Sequence, residues 1–180
     1  MTGIYILIGV VAIIAILLIV VAMQPADFRI ARSAAISAPA NVVFSHVNDF
    51  KKMDVWSPWL KFDPNVKVIH QGPPSGVGAI ETWDGNNKVG SGKMTITDIR
   101  PNELVRLKLE FFKPFAATNT AEFTFESIMA ATTVTWAMMG RRNFITKAMG
   151  LFMNFDKMIG DNFRKGLEEL KTIAESEARR

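Results

Sequence analysis

The sequence predicts an α+β protein in which a curved antiparallel sheet of about six or seven strands wraps around one long C-terminal helix. A single transmembrane helix precedes it. Three observations predict this. Ile4 to Met23 is an unbroken apolar run of twenty residues. From Val66 to Met139 the apolar residues repeat with a period of two between tight turns. From Asn143 to about Ala178 they repeat with the 3.6-residue period of an amphipathic helix.

Taken in order, Ile4 to Met23 would span about 30 Å as a helix, the hydrocarbon thickness of a bilayer. Pro25 ends it. A cleaved signal peptide is the competing reading, and Val20-x-Ala22 resembles a weak cleavage site. Against it, no Lys or Arg precedes the run, which is also too long for a signal core. An uncleaved anchor over residues 1–25 is therefore expected, followed by one ligand-binding domain over 26–180. Arg29, Arg32, Lys51 and Lys52 follow the span, which by the positive-inside tendency puts the C-terminal domain in the cytoplasm.

Asp27 to Ile36 reads as a first strand. Ser37 is a candidate helix cap, with Pro39 suited to the first turn of a helix running to about Val47. A second short helical segment carries Phe50, Met53, Trp56 and Trp59 around Pro58. Strands are then expected around Val66 to His70, Ala79 to Trp83 and Lys93 to Ile99, separated by the turns Gly72–Gly78 and Asp84–Gly90. Val105, Leu107, Leu109 and Phe111 alternate with Arg106, Lys108, Glu110 and Phe112, a strand with one buried face. Ala121, Phe123 and Phe125 repeat the pattern, and a hairpin between the two runs sets Arg106 and Lys108 near Glu122 and Glu126. Thr132 to Met139 is the last strand, and Gly140-Arg141-Arg142 forms a hinge. In the helix that follows, Phe144, Ala148, Leu151, Phe152, Phe155, Ile159, Phe163, Leu170 and Ile173 share one arc, and Gly150 is a point at which it can divide. Asn162 and Gly166 on that arc do not fit a plain core and suggest that the helix also faces a cavity.

Composition narrows the chemistry. The chain has no cysteine, which excludes disulfides and thiolate catalysis, and only two histidines, His46 and His70. With no close His/carboxylate cluster visible along the chain, no metal site is expected, and no cofactor motif is present. The net charge of +4 is scattered and lies wholly outside residues 1–26, which argues for no nucleic-acid partner.

The element order, with Trp56-Ser57-Pro58-Trp59, Asp63-Pro64, Gly76 to Trp83, Gly90 to Met94, Thr133 to Trp136, Asp156 to Gly160 and Phe163 to Leu167, resembles the START-like (SRPBCC) superfamily and its polyketide cyclase/dehydrase-like branch. The resemblance covers roughly Asp27 to Glu177. It implies a helix-grip fold with an apolar cavity between sheet and helix that holds lipids, sterols, polyketides or similar molecules. It implies no single activity, because members of such a superfamily catalyse, carry or bind proteins.

Trp83, Phe111, Phe123, Phe125, Trp136, Phe155 and Asn162 are the expected ligand-binding walls. No catalytic residue is assigned. Glu81 and Asp156 are weak candidates, Glu81 because an inward position would raise its pKa. Ser57 has no His/Asp partnership, and the glycine-rich turns lack the ending of a phosphate loop. The preferred reading is a membrane-anchored, non-enzymatic binding domain for a hydrophobic small molecule or lipid, with the bilayer contacted through Ile4 to Met23. The alternatives are a cyclase/dehydrase-like enzyme and a protein-interaction module.

Overall fold

The computed structural model describes residues 2–180. It contains α1 (Thr2–Met23), β1 (Asp27–Ile36), α2 (Ala40–Val47), α3 (Phe50–Trp56), a 3₁₀ turn (Leu60–Phe62), β2 (Lys67–Gln71), β3 (Ile80–Asp84), β4 (Ser91–Arg100), β5 (Leu104–Lys113), β6 (Ala117–Ile128), β7 (Ala131–Arg141), α4 (Phe144–Gly150) and α5 (Phe155–Ala178). The seven strands form one curved antiparallel sheet in the order β1-β7-β6-β5-β4-β3-β2. Strands β2 to β7 are a simple meander, as their short turns require. The connection that is not a hairpin is β1 to β2, where α2 and α3 carry the chain from one edge of the sheet to the other.

The chain divides into two compact units. One comprises residues 29–140 and 156–180, and the other residues up to Phe28 with 141–155. In the larger unit α5 lies on the sheet through an aromatic stack. Phe163 lies parallel to Trp136 with ring centres 4.1 Å apart, and Trp136 stacks on Phe123 at 4.9 Å. Trp56 of α3 meets both Phe123 and Trp136 edge-on. Its indole N–H donates to the carbonyl of His46, so the buried ring leaves no donor unpaired. Leu167, Leu170 and Ala174 continue the buried face of the helix. Burying each large apolar side chain stabilises the fold by about 1.5–3 kcal/mol. At the other end of this unit's helix, Arg32 of β1 donates to the Asp156 carboxylate at 2.9 Å and to its backbone carbonyl at 3.0 Å. A side chain at Gly160 would collide with that guanidinium.

In the smaller unit α1 is apolar on every side, with Gly3–Met23 at a mean hydropathy of 3.5 and long enough to cross a membrane. Lys147 of α4 donates to the Ala22 carbonyl at the end of α1, and the Arg142 N–H donates to Ala26 at 2.7 Å.

Several sequence expectations are corrected. Ser37 caps no helix. Pro39 itself occupies the cap position, and the Ser37 N–H donates to Glu175 instead. The C-terminal helix does divide after Gly150, and Leu151 to Asn154 separate the two pieces. That interruption resets the helical phase, so Phe144, Leu151 and Phe152 are exposed and do not join the buried arc. Arg106 pairs with Glu122 at 2.6 Å as expected, and also with Asp98, whereas Lys108 turns to Glu110 on its own strand.

The stack explains why position 166 is glycine. A methyl group there would sit 2.9 Å from Cζ3 of Trp136 and 3.1 Å from Cδ of Pro58. Helix propensity alone favours alanine over glycine by about 0.8–1 kcal/mol, but overpacking costs about 1–3 kcal/mol. Gly166→Ala is therefore expected to lower stability by roughly 1 kcal/mol. Urea unfolding of the full chain checks this, and an unchanged or raised midpoint contradicts the close packing.

Candidate functional site

The antiparallel register determines which side chains meet on the inner face of the sheet. Glu81 pairs with Met94, Met94 with Leu109, and Leu109 with Asn119, and directly paired residues point to the same side. His70 pairs with Glu81 at the sheet edge. A parallel row is set by the pairings of Trp83 with Gly92 and of Gly92 with Phe111. The indole of Trp83 lies directly over Gly92, where any side chain would overlap it, and meets Phe111 edge-on at 5.9 Å. Glu81 and Trp83 are both buried, so this face of β3 points inward. Met94, Leu109 and Phe111 are not fully buried although they face inward. An apolar strip with solvent access thus runs between two buried polar side chains, Glu81 and Asn119.

The other expected wall residues divide among different places. Phe123 and Trp136 belong to the filled stack beneath α5, and Phe125 meets Phe44 of α2 edge-on at 5.6 Å. Phe155 lies in the smaller unit, near Gly150. Asn162 donates to the Met158 carbonyl one turn back. It lines an open groove of about 390 Å³ between α5 and the segment carrying Pro58 and Phe62, with Lys165 and Glu169. Gly166 does not mark a cavity either, since Trp136 and Pro58 fill the space beneath it.

The two weak catalytic candidates also part company. Asp156 is 61% exposed and ion-paired with Arg32, whose guanidinium holds its carboxyl below the usual range. Glu81 is 4% exposed at its side chain, and its Oε2 has no hydrogen-bond partner. Burial, then the adjacent negative charge of Asp54, pushes its pKa up to about 9. Asp54 comes from α3, and His70 Nε2 lies 3.0 Å from its Oδ2 and 3.6 Å from Glu81 Oε2. The His/carboxylate cluster not visible along the chain therefore exists in space. Residue 54 joins it because α3 brings Asp54 to His70 on the edge strand β2, and no spacing along the chain signals that approach.

A curved sheet gripping a C-terminal helix, with two short helices between its first two strands, defines a helix-grip protein of the START-like superfamily. Residues 27–175 match the family described as polyketide cyclase/dehydrase and lipid transport, and the chain belongs to that family. Among solved structures, the solution structure of the Aha1 dimer from Colwellia psychrerythraea superposes with a TM-score of 0.59 at 15% identity, covering 82% of this chain and 96% of that one. A protein from Chromobacterium violaceum gives 0.58 at 13%, covering 84% and 99%. The di-domain ARO/CYC StfQ of the steffimycin biosynthetic pathway gives 0.62 at 9%, covering 86% of this chain and 53% of its own. At such identities the likeness is one of fold. Comparison with curated proteins gives no match.

The position of Glu81 carries a pH dependence. Its carboxyl releases its proton near 4.5 when unfolded but holds it to about 9 when folded. The folded chain binds more protons than the unfolded chain across that interval, so this group lowers stability as pH rises, by at most about 1.4 kcal/mol per pH unit. Glu81→Gln cannot ionise and is expected to be flatter. Thermal unfolding in EDTA at several pH values should show the variant's advantage growing toward alkaline pH. Parallel curves for the two proteins would contradict the buried, protonated carboxyl.

Proposed function

We propose that this chain is a membrane-anchored binding protein for a hydrophobic small molecule, held on the inner face of the sheet against Trp83, Met94, Leu109 and Phe111. The observation that carries this reading is the incompletely buried apolar strip on a face that a closed core would bury completely. Glu81 and Asn119 at its ends offer hydrogen bonds to a polar group of an otherwise apolar ligand. The family, whose description includes both cyclase/dehydrase chemistry and lipid transport, supports a hydrophobic ligand. Of the residues expected from sequence, Trp83 and Phe111 keep this role directly. Phe123, Phe125 and Trp136 support the strip from the adjoining core.

A cyclase-like reaction is the second reading, and Glu81 favours it. A carboxyl that stays protonated at neutral pH can donate a proton to a bound carbonyl or hydroxyl group. Asp156 has no part in it.

Anchoring rests on α1 and on its neighbours in the smaller unit. Phe144, Ile145, Leu151 and Phe152 are exposed there, beside Arg141, Arg142 and Lys147. Exposed apolar side chains interleaved with cations suit the headgroup region of a bilayer.

Two measurements test the reading. Native mass spectrometry and fluorescent fatty-acid titration of the full chain should show a bound lipophile, with affinity reduced at least tenfold in Leu109→Trp, which fills the strip. Recovery of empty protein and no titratable binding would sink the proposal. Intact-mass analysis of the membrane fraction after alkaline extraction should find the complete chain. A soluble species lacking the apolar run would identify a cleaved signal instead.

A further inference from the structure

We propose that Asp54, His70 and Glu81 form a binding site for one first-row divalent cation of the zinc, manganese or cobalt type. One donor atom from each residue lies within 4.8 Å of the other two, and the His70 contacts are 3.0 and 3.6 Å. Ligands held about 2.0–2.2 Å from a tetrahedral ion stand roughly 3.2–3.6 Å apart. The three donors are therefore already within reach of one ion. They come from three elements, α3, β2 and β3, whose positions are set by the sheet register and by the burial of Phe50, Met53 and Trp56.

The second observation concerns Glu81 alone. Its side chain is buried on the inner face between Ala79 and Trp83, and its Oε2 points into the cluster without a hydrogen-bond partner. Buried polar atoms are normally satisfied, and an orphaned carboxylate oxygen calls for a missing partner. A cation takes the place of the Glu81 proton and supplies that partner, bridging two neighbouring carboxyl groups. One imidazole and two carboxylates form a borderline donor set that suits zinc, manganese or cobalt. Calcium, which takes six to eight oxygens, fits poorly. Three protein ligands leave coordination positions open. A cleft of about 180 Å³ lined by Phe50, Lys51, His70, Ala79 and Ile80 lies beside His70 and gives water or a small oxygen ligand a route in. The inference shares Glu81 with one end of the proposed lipophile strip but does not depend on a lipophile being bound there.

The test uses the full chain in detergent micelles, stripped with EDTA. Cobalt chloride titration followed by visible d–d absorption, and zinc chloride calorimetry, should each report one ion per chain. Affinity should fall at least tenfold in both Glu81→Gln and Asp54→Asn. Asp54 is partly exposed, so its variant remains informative if the buried substitution impairs folding, which circular dichroism monitors. No stoichiometric binding at about 100 μM metal, a Kd weaker than about −5.5 kcal/mol of binding energy, would overturn the proposal. So would stoichiometric binding that both variants retain.

Discussion

The contact between Phe163 and Trp136 determines what the rest of the larger unit can do. Two rings lying nearly parallel at 4.1 Å set the distance between α5 and the sheet, and Trp56 and Phe123 close around them. Offset and edge-on aromatic pairs add about 0.5–1.5 kcal/mol each beyond the area they bury. This group is a wall rather than a cavity. It fills the middle of the grip, so the access that remains on the inner face lies toward β3, β4 and β5, where Met94, Leu109 and Phe111 are not fully buried. Arg32, clamped to Asp156 and packed over Gly160, secures the helix on the β1 side.

Glu81 is the residue that resists a purely structural account. An inward position on β3 next to Trp83 suits an apolar side chain, and a carboxylate there destabilises the fold unless protonated or paired. Its neighbours sharpen the point. Asp54 adds a second carboxyl group and His70 an imidazole, all at one sheet edge beside an open cleft. A cation site and a proton-donating site are two uses of one arrangement, and a bound ion would exclude the protonated form of Glu81.

The fold was largely legible in the sequence because its periodicities were clear. The alternation of Val105 to Phe111 and of Ala121 to Phe125, the tight turns and the twenty-residue apolar run each have one natural reading. The helix break at Gly150 was visible, but its consequence for Phe144, Leu151 and Phe152 was not, because a helical arc presumes continuous phase. Gly166 misled for a related reason, whereas Asn162 does line an open groove. An absent side chain signals that something unusual is opposite, without saying whether it is space or a tryptophan. The Asp54–His70–Glu81 cluster was the hardest to see. His70 and Glu81 meet only through the β2–β3 register, and Asp54 arrives from a helix that no periodicity ties to that edge.

The central claim is that the inner strip of β3 to β5 receives a lipophile. Methionine methyl groups are placed to test it, because Met94 and Met138 face inward whereas Met129 in the β6–β7 turn is fully exposed. With the full chain in nanodiscs and its methionine methyl groups carbon-13 labelled, titration with a medium-chain fatty acid should shift the Met94 and Met138 resonances saturably and leave Met129 unmoved. Uniform, non-saturating shifts, or shifts confined to Met149, Met153 and Met158, would contradict binding at the strip.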